Sequence, residues 1–266
     1  MDDGTISALA GELYSALRAR STVAPLTERH PGITIADAYQ ISIRMLERRI
    51  ADGERVIGKK IGVTSRAVQE MLDVHQPDFG FLTDAMRYPD GATISIRRAG
   101  LIQPRAEGEI AFVLKQDLAG SAGSNVTARD VLDAAEAVMP CFEIVDSRIT
   151  DWKIRIEDTV ADNASCGVFV LGEPRVDPNG LDLAAARLEM FRNGKPVAWG
   201  LGSAVQGHPA AAVAWLANTL GKFGIPFLKG EIILSGSLVP LIPAIAGDSF
   251  ELSIGGIGKA SVRFAD

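Results

Sequence analysis

The stretch PRAEGEIAFVL, residues 104–114, is the most informative part of the sequence. On a β-strand, Glu107 and Glu109 point to the same face because successive side chains alternate. Two carboxylates about 7 Å apart on one face repel each other unless a cation lies between them. Mg²⁺ and Mn²⁺ prefer oxygen ligands. The pair therefore indicates either a divalent-metal site or a solvated strand face with two unrelated glutamates.

A third carboxylate, Glu143, lies inside the apolar run MPCFEIV of residues 139–145. A buried carboxylate without a partner costs several kcal/mol, so Glu143 needs one. The partner is a metal ion shared with Glu107 and Glu109, or the guanidinium of Arg105 or Arg148. Three oxygen ligands on one side of an ion would leave open positions for a chelating substrate.

Two lysines and an aspartate are further candidates. Lys59 and Lys60 are either surface cations or, beside Gly58 and Gly62, groups that approach a ligand closely. Neighbours on a strand face oppositely, so we expect at most one of the two lysines to point inward. The stretch QPDFG, residues 76–80, predicts a turn, in which Asp78 is a turn residue or a proton shuttle in a cleft.

Short apolar runs separated by Gly, Pro, Asn and Asp predict a strand-rich core after Val56. Asn193-Gly194 indicates a two-residue hairpin, and Gly255-Gly256 indicates another. Many short strands with few helices favour an α+β, mainly β fold. The sequence contains neither GxGxxG nor GxxxxGK[ST], so nucleotide-binding folds have no support. The predicted strands are 56–63, 93–96, 109–114, 141–145, 167–171, 188–192, 231–235, 250–254 and 260–264.

Helical patterns dominate the first 55 residues. A first helix follows from apolar residues at helical spacing, and a second begins at Thr34 with Asp37 as its capping-box partner. Later helices are expected near Thr127, with Asp130 completing a capping box, and after Pro209. The apolar positions of the first two helices are Ile6, Leu9, Leu13 and Leu17, then Tyr39, Ile43, Leu46 and Ile50.

Composition narrows the class of protein. The 266 residues include 27 Lys and Arg against 33 Asp and Glu, a net charge of −6 that argues against nucleic-acid or anionic-membrane partners. Two cysteines make no disulfide framework, and three scattered histidines argue against a histidine-rich zinc site. No apolar run is long enough to span a membrane. These features predict a cytoplasmic protein.

Together the motifs resemble one family. The chain resembles the 2-hydroxypenta-2,4-dienoate (2-keto-4-pentenoate) hydratases of bacterial aromatic meta-cleavage pathways, in the fumarylacetoacetate hydrolase superfamily. The matching pieces run in family order over nearly all of the chain from about Thr34. They are GKKIGVTS (58–65), QPDFG (76–80), EGEIAF (107–112), EIVDSR (143–148), ADNAS (161–165), ILSGSLVP (233–240) and IGGIG (254–258).

The resemblance implies a mixed β-roll with flanking helices. Residues 1–55 would be an N-terminal helical segment packing on the core, and residues 56–266 the catalytic β-roll domain. It further implies a homo-oligomer, with other enzymes of the pathway as candidate partners, and an Mg²⁺ or Mn²⁺ ion. The metal ligands would be Glu107, Glu109 and Glu143, although nearby Asp146 remains an alternative to Glu143.

The remaining site residues also come from the resemblance. Lys60 and Asp78 would be catalytic, and Ser165 with Gly236-Ser237 would bind the substrate. Small residues at strand ends often expose backbone N–H groups to a carboxylate, although both segments are equally compatible with ordinary loops. The implied reaction converts 2-hydroxypenta-2,4-dienoate, through 2-oxo-3-pentenoate, to 4-hydroxy-2-oxopentanoate by metal-dependent addition of water.

Several related activities remain alternatives. The same carboxylates would serve 4-oxalocrotonate decarboxylase, but the segments at 76–78 and 236–240 look more like the hydratases. A 2-oxohept-3-enedioate hydratase would need a further cation. The C–C bond hydrolases of the superfamily would need a His–Glu pair, and residues 64–72 contain no histidine. A non-catalytic scaffold of a pathway complex is the remaining, non-enzymatic hypothesis.

Overall fold

The computed structural model describes residues 1–65, 69, 74, 76–118 and 125–266. Within these ranges the chain forms two β-sheets with helices packed against them, the α+β, strand-rich class expected. The strands are β1 (Val56–Gly62), β2 (Asp78–Thr83), β3 (Arg87–Pro89), β4 (Ala92–Ser95), β5 (Arg105–Leu114), β6 (Ala135–Val145), β7 (Cys166–Leu171), β8 (Arg187–Arg192), β9 (Lys195–Leu201), β10 (Ile232–Ser237), β11 (Ile242–Pro243), β12 (Ser249–Ile254) and β13 (Gly258–Ala265). The helices are α1 (Asp3–Ala19), α2 (Leu26–Arg29), α3 (Ile35–Ala51), α4 (Ala128–Ala134), α5 (Ile156–Ala161) and α6 (Pro209–Gly221).

The first sheet carries the candidate residues. Its order is β2-β1-β10-β5-β6-β7-β3, and β11 also pairs with β5. Strands β1 and β10 run parallel, as do β3 and β7, whereas β5 and β6 form a long antiparallel pair. The sheet is therefore mixed, as the resemblance implied.

The second sheet has the order β4-β13-β12-β8-β9. Asn193-Gly194 connects β8 to β9, and Gly255-Gly256 lies between β12 and β13, so both predicted hairpins are confirmed. Each strand predicted from the sequence overlaps an observed one. Phe142 of the first sheet meets Phe250 of the second edge to face, with ring centroids 6.4 Å apart.

The two faces of the first sheet belong to different hydrophobic clusters. The outer face joins the second sheet, α4 and α6 in the inter-sheet core, which includes Ile110, Phe112, Phe142, Leu216 and Phe250. The inner face carries a separate cluster that includes Ala111, Val113, Met139, Cys141 and Leu234. Because side chains alternate along β5, Glu107 and Glu109 lie on the inner face with Ala111 and Val113.

The predicted helices are confirmed, and their capping explains where they begin. Thr34 and Asp37 form the capping box of α3, Thr127 and Asp130 form that of α4, and Pro209 opens α6. The predicted apolar face of α3 is wrong at Ile50, which is 46% exposed. A second apolar face was missed, because α3 also packs against α1 and α5.

An aromatic contact joins the N-terminal helices to the strand that carries Asp78. Tyr39 of α3 stacks on Phe79, the residue after Asp78, with ring centroids 4.2 Å apart. Helix α5, which follows β6 in the chain, packs in the same cluster as α1 and α3. The division at residues 55 and 56 therefore stays a prediction, since the helical layer includes a later segment. None of the helices in the described ranges has the length and apolarity of a membrane span.

Two further sequence expectations need correction. The stretch 76–80 is not simply a turn, because Asp78 begins β2 and pairs with Gly62 of β1. Both Lys59 and Lys60 are buried, on opposite faces of β1, so the expectation of at most one inward lysine is wrong. Lys59 avoids solvent because its ammonium pairs with Glu231 at 2.5 Å. The histidine-free segment 64–72 lies largely outside the described residues.

Candidate active site

The three glutamates meet because β5 and β6 pair in register. Glu107 lies directly opposite Glu143, and Glu109 lies opposite Cys141. One carboxylate oxygen from each glutamate lies within 4.8 Å of the others. Three carboxylate oxygens at this separation can provide part of the oxygen coordination that a hard divalent cation prefers.

The hydrogen bonding of these carboxylates is incomplete. Among the described residues, Glu109 Oε1 and both oxygens of Glu143 are buried without a hydrogen-bond partner. The other oxygen of Glu109 accepts from the backbone N–H of Gly236 at 2.8 Å. Orphaned buried oxygens that face one another are costly, and a bound cation would satisfy them.

Electrostatics lead to the same interpretation. Burial, followed by repulsion from Glu143, raises the pKa of Glu107 to about 8. Burial and the neighbouring carboxylates Glu143 and Glu107 raise the pKa of Glu109 well above its usual range. A divalent ion would reverse these shifts by stabilising the ionised forms, so the residues present fit a metal ion of the Mg²⁺ or Mn²⁺ type.

Lys60 lies at the edge of the carboxylate cluster. Its Nζ atom is 3.2 Å from Glu143 Oε1 and donates to the Ala164 carbonyl at 3.0 Å. Burial alone would lower the pKa of Lys60, but Glu143 and Asp78 outweigh it and the pKa is raised. The neighbouring carboxylates thus favour the ammonium form of Lys60 in this buried site.

The structure answers which cation partners Glu143. The Arg105 guanidinium lies over the Trp152 ring, 4.4 Å from its centroid. The Arg148 side chain pairs with Asp162. Among the described residues, Lys60 is the cation within ion-pair distance of Glu143.

Asp146 has a different structural role from the three glutamates. Its carboxylate accepts from the backbone N–H of Ile102 at 3.0 Å and of Gln103 at 2.7 Å. It therefore holds the segment before β5, whereas Glu143 faces the cluster.

Asp78 shares the inner face with Lys60. Asp78 lies opposite Gly62, and its Oδ1 atom is buried without a hydrogen-bond partner among the described residues. A Cβ at Gly62 would lie 2.2 Å from that oxygen and 3.2 Å from Lys60 Nζ, so glycine is required here. Burial raises the pKa of Asp78 to about 6, although Lys60 opposes the shift.

The predicted substrate-binding residues differ in their surroundings. The N–H of Gly236 is already donated to Glu109, and the Ser237 hydroxyl donates to the Val239 carbonyl at 2.6 Å. The Ser165 hydroxyl shares a hydrogen bond of 3.0 Å with Thr159. Sequence reasoning missed Ser235, whose buried hydroxyl has no hydrogen-bond partner among the described residues.

Comparisons with known proteins agree with this geometry. Residues 56–265 match the family described as fumarylacetoacetate (FAA) hydrolase C-terminal. The chain is 67% identical to 2-hydroxyhexa-2,4-dienoate hydratase of Comamonas testosteroni over 254 residues, 96% of this chain and 95% of that protein. It is 61% identical to 2-hydroxypent-2,4-dienoate hydratase of Pseudomonas putida over 225 residues, 85% of this chain and all of that protein.

A solved structure is similar over its whole length. It is 4-oxalocrotonate decarboxylase from Pseudomonas putida G7, complexed with magnesium and adipate. Its TM-score is 0.94 at 33% identity, covering 99% of this chain and 98% of that one. The resemblance and the fold expected from the motifs are confirmed, and the chain belongs to the fumarylacetoacetate hydrolase family.

Proposed function

We propose that this protein is a metal-dependent hydratase that adds water to 2-hydroxypenta-2,4-dienoate, giving 4-hydroxy-2-oxopentanoate in aromatic meta-cleavage catabolism. The observation that carries the proposal is the meeting of three carboxylates, two buried and one half-buried, with Lys60 and Asp78 on one face of the first sheet. Relatives named as hydratases of such dienoates, at 67% and 61% identity, support the choice of reaction.

The glutamates define the metal position. Glu107, Glu109 and Glu143 would hold Mg²⁺ or Mn²⁺, which would supply a Lewis acid to stabilise negative charge on the substrate. The N–H of Gly236 orients Glu109, and the ammonium of Lys60 neutralises part of the charge on Glu143. Ser165, Gly236 and Ser237 are proposed to line the substrate pocket, together with Ser235.

We assign Asp78 to proton transfer at C5 of the dienol. A pKa of about 6 lets its carboxyl both deliver and accept a proton near neutral pH. The ammonium of Lys60 places positive charge beside the developing enolate. Protonation at C5, with loss of the C2 hydroxyl proton, yields a conjugated 2-oxo-3-enoate. The oxygen of a water molecule then bonds to C4 and gives up a proton, and C3 gains one, so that the net change is the addition of one water.

The direct test uses freshly prepared 2-hydroxypenta-2,4-dienoate with Mg²⁺, with Mn²⁺ or with a chelator. We expect metal-dependent gain of one water, identified by product mass as 4-hydroxy-2-oxopentanoate. Parallel kcat/KM values for 2-hydroxyhexa-2,4-dienoate would show which C5 substituent is preferred. Equal turnover with and without chelator would contradict the metal site.

The second candidate is decarboxylation of 2-oxo-3-hexenedioate, favoured by the close fit to the solved decarboxylase. A dicarboxylate substrate needs a cation for its second carboxylate. Each buried cation in the described ranges already has an acidic partner: Arg49 with Glu54, Lys59 with Glu231, Lys60 with Glu143, and Arg148 with Asp162. The pairing of these cations supports a monocarboxylate substrate, 2-hydroxypenta-2,4-dienoate, over the dicarboxylate. Loss of CO₂ without hydration of the dienoate would reverse the assignment.

The remaining expectations are also proposals. A homo-oligomer is testable by light scattering on the metal-loaded protein, and association with other pathway enzymes by co-purification. The 2-oxohept-3-enedioate hydratase and C–C hydrolase alternatives predict turnover of their own substrates in the same assay. Co-purification without any metal-dependent turnover would favour the scaffold hypothesis.

A further inference from the structure

The segment between α5 and β7 has a strained backbone. Asn163, Ala164 and Ser165 have φ values of 55°, 51° and 51°, all in the left-handed region. This region costs a residue with a side chain about 1–2 kcal/mol. Three such residues in succession persist only where their surroundings hold them, and strain of this kind clusters at functional sites.

One side of this turn is held by the Asn163 side chain. Its Oδ1 atom accepts from the Phe81 N–H at 2.8 Å, and its Nδ2 atom donates to the Phe81 carbonyl at 3.0 Å. Phe81 lies on β2, three residues after Asp78. Gly80 permits the contact, because a Cβ there would lie 2.5 Å from the Asn163 carbonyl oxygen. The amide therefore ties the turn to the strand that carries Asp78.

The other side is held by Arg148. Its guanidinium pairs with the Asp162 carboxylate and donates to the Asp162 carbonyl at 2.8 Å. It also donates to the Cys166 carbonyl at 3.2 Å. Both side chains of the ion pair are almost completely buried. Arg148 thus brackets the turn by binding the carbonyls on either side of it.

The turn presents one backbone carbonyl to the site. Ala164 O accepts from Lys60 Nζ at 3.0 Å, and the same ammonium lies 3.2 Å from Glu143. A backbone acceptor is placed by the residues that hold its segment. We propose that Asn163 and Arg148 are positioning residues, which press the Ala164 carbonyl against Lys60 and so fix its ammonium between Glu143 and Asp78.

The test compares Asn163 with a matched asparagine. Asn218 of α6 makes the same pair of bonds to one backbone residue, Val126, at 2.9 and 2.8 Å. It belongs to the helix that packs on the outer face of the first sheet. Asn163→Ala and Asn218→Ala therefore remove the same interaction. Asn163→Gly removes the amide while easing the left-handed backbone, and serves if the alanine variant does not fold.

The kinetic readout rests on the proposed function. We expect Asn163→Ala and Asn163→Gly to lower kcat at least tenfold, on the order of 10²-fold for a misplacement of about 1 Å. KM and the calorimetric Kd for Mn²⁺ should change less than about twofold. Asn218→Ala should lose similar thermal stability and keep its kcat. The proposal would be overturned if all variants had the same kcat. It would also be overturned if Asn163→Ala and Asn218→Ala lost the same fraction of kcat at the same thermal stability.

A second readout needs no substrate. In ¹⁵N-lysine-labelled, Mg²⁺-loaded protein, the buried ammonium groups of Lys59 and Lys60 should give protected NH₃⁺ signals, assigned with Lys→Arg variants. We expect the Lys60 signal to shift or vanish in Asn163→Ala and Asn163→Gly, while the Lys59 signal stays. An unchanged Lys60 signal would contradict the positioning role. A changed signal in a protein without hydratase turnover would instead overturn the proposed function.

Discussion

Asp78 and Asp162 are both buried aspartates whose pKa is raised to about 6, chiefly by burial. Their surroundings differ. Asp162 accepts hydrogen bonds from the backbone N–H and the guanidinium of Arg148, whereas Asp78 Oδ1 has no hydrogen-bond partner in the described ranges. The carboxylate of Asp162 stabilises the fold, whereas that of Asp78 is kept at a cost to stability. Such a cost is typical of a group that takes part in catalysis.

The corresponding prediction pairs Asp78→Asn with Asp162→Asn. The folded pKa of Asp78, about 6, exceeds its ordinary value of 3.8, so the folded state binds the proton more tightly. Its contribution to stability is therefore lost as the pH rises from about 4 to about 6, by about 3 kcal/mol. We expect metal-free Asp78→Asn to be more stable than the unmodified protein above pH 6. We expect Asp162→Asn to lose about 3 kcal/mol, because Arg148 stays buried without its hydrogen-bonded carboxylate and the carboxylate of Asp146 lies 4.0 Å away.

Denaturant titrations of the metal-free proteins between pH 4 and 8 provide the measurement. The advantage of Asp78→Asn should grow with pH up to about 6 and then level off. Its turnover should fall by about 10²–10⁴, the usual contribution of a general acid–base group. Full turnover in Asp78→Asn, or a stability loss equal to that of Asp162→Asn, would remove Asp78 from the proposed role.

At the level of elements, the C-terminal end of β10 places a backbone donor beside Glu109. The register of β10 against β5 shifts between Leu234 and Ser237, and this irregularity turns the N–H of Gly236 toward Glu109. Gly236 has φ +108°, and a Cβ there would lie 2.4 Å from the Thr64 side chain. Bulges of this kind are common beside active sites, where they re-aim a strand.

We therefore predict different outcomes for Gly236→Ala and Gly247→Ala. Gly247 has φ +93° with open space around the Cβ position, so its substitution measures the backbone cost alone, about 1–2 kcal/mol. Gly236→Ala should also weaken Mn²⁺ binding about 10–100-fold, because it displaces the N–H group that orients Glu109, which we propose as a metal ligand. Calorimetric titration with Mn²⁺ distinguishes the two, and equal affinities in both variants would contradict this account of the bulge.

At the level of the whole molecule, the curl of the first sheet assembles the site. Strands β1 and β6 are separated by β10 and β5, about 14 Å across a flat sheet at the usual strand spacing. Yet Lys60 of β1 contacts Glu143 of β6. The sheet must therefore curve around its inner face, and the packing of the second sheet and of α4 and α6 on the outer face supports that curvature.

Because the curvature of the first sheet brings three carboxylates together, we expect the stability of the fold to depend on bound metal. A bound ion should raise the free energy of unfolding by about 2.7 kcal/mol at a metal concentration of 100 times Kd. In Glu109→Gln we expect most of this gain to be lost. The metal-free variant should be at least as stable as the unmodified protein, because the amide avoids the cost that the buried carboxyl incurs, either as a charge or by taking up a proton. Thermal melts with Mn²⁺ and with a chelator test this prediction. Glu189→Gln, in a half-exposed ion pair with Arg187, is the control, and a full metal-dependent shift in Glu109→Gln would contradict the assignment.

The sequence by itself determined the features that depend on neighbours along the chain. Alternation along β5 placed Glu107 and Glu109 on one face, and capping boxes at Thr34 and Thr127 marked the starts of α3 and α4. The motifs were also sufficient to indicate the family. These features are local, so the printed order of residues carries them.

Only the tertiary structure decided which groups meet. Lys60 pairs with Glu143, and Lys59 is buried against Glu231. The carboxylate of Asp146 accepts from backbone amides, and Asp78 lies on a strand. The tertiary structure also put the left-handed turn at Ala164 against Lys60. These contacts join residues that are far apart in the chain. They arise from strand order and sheet curvature, which no local pattern of side chains specifies.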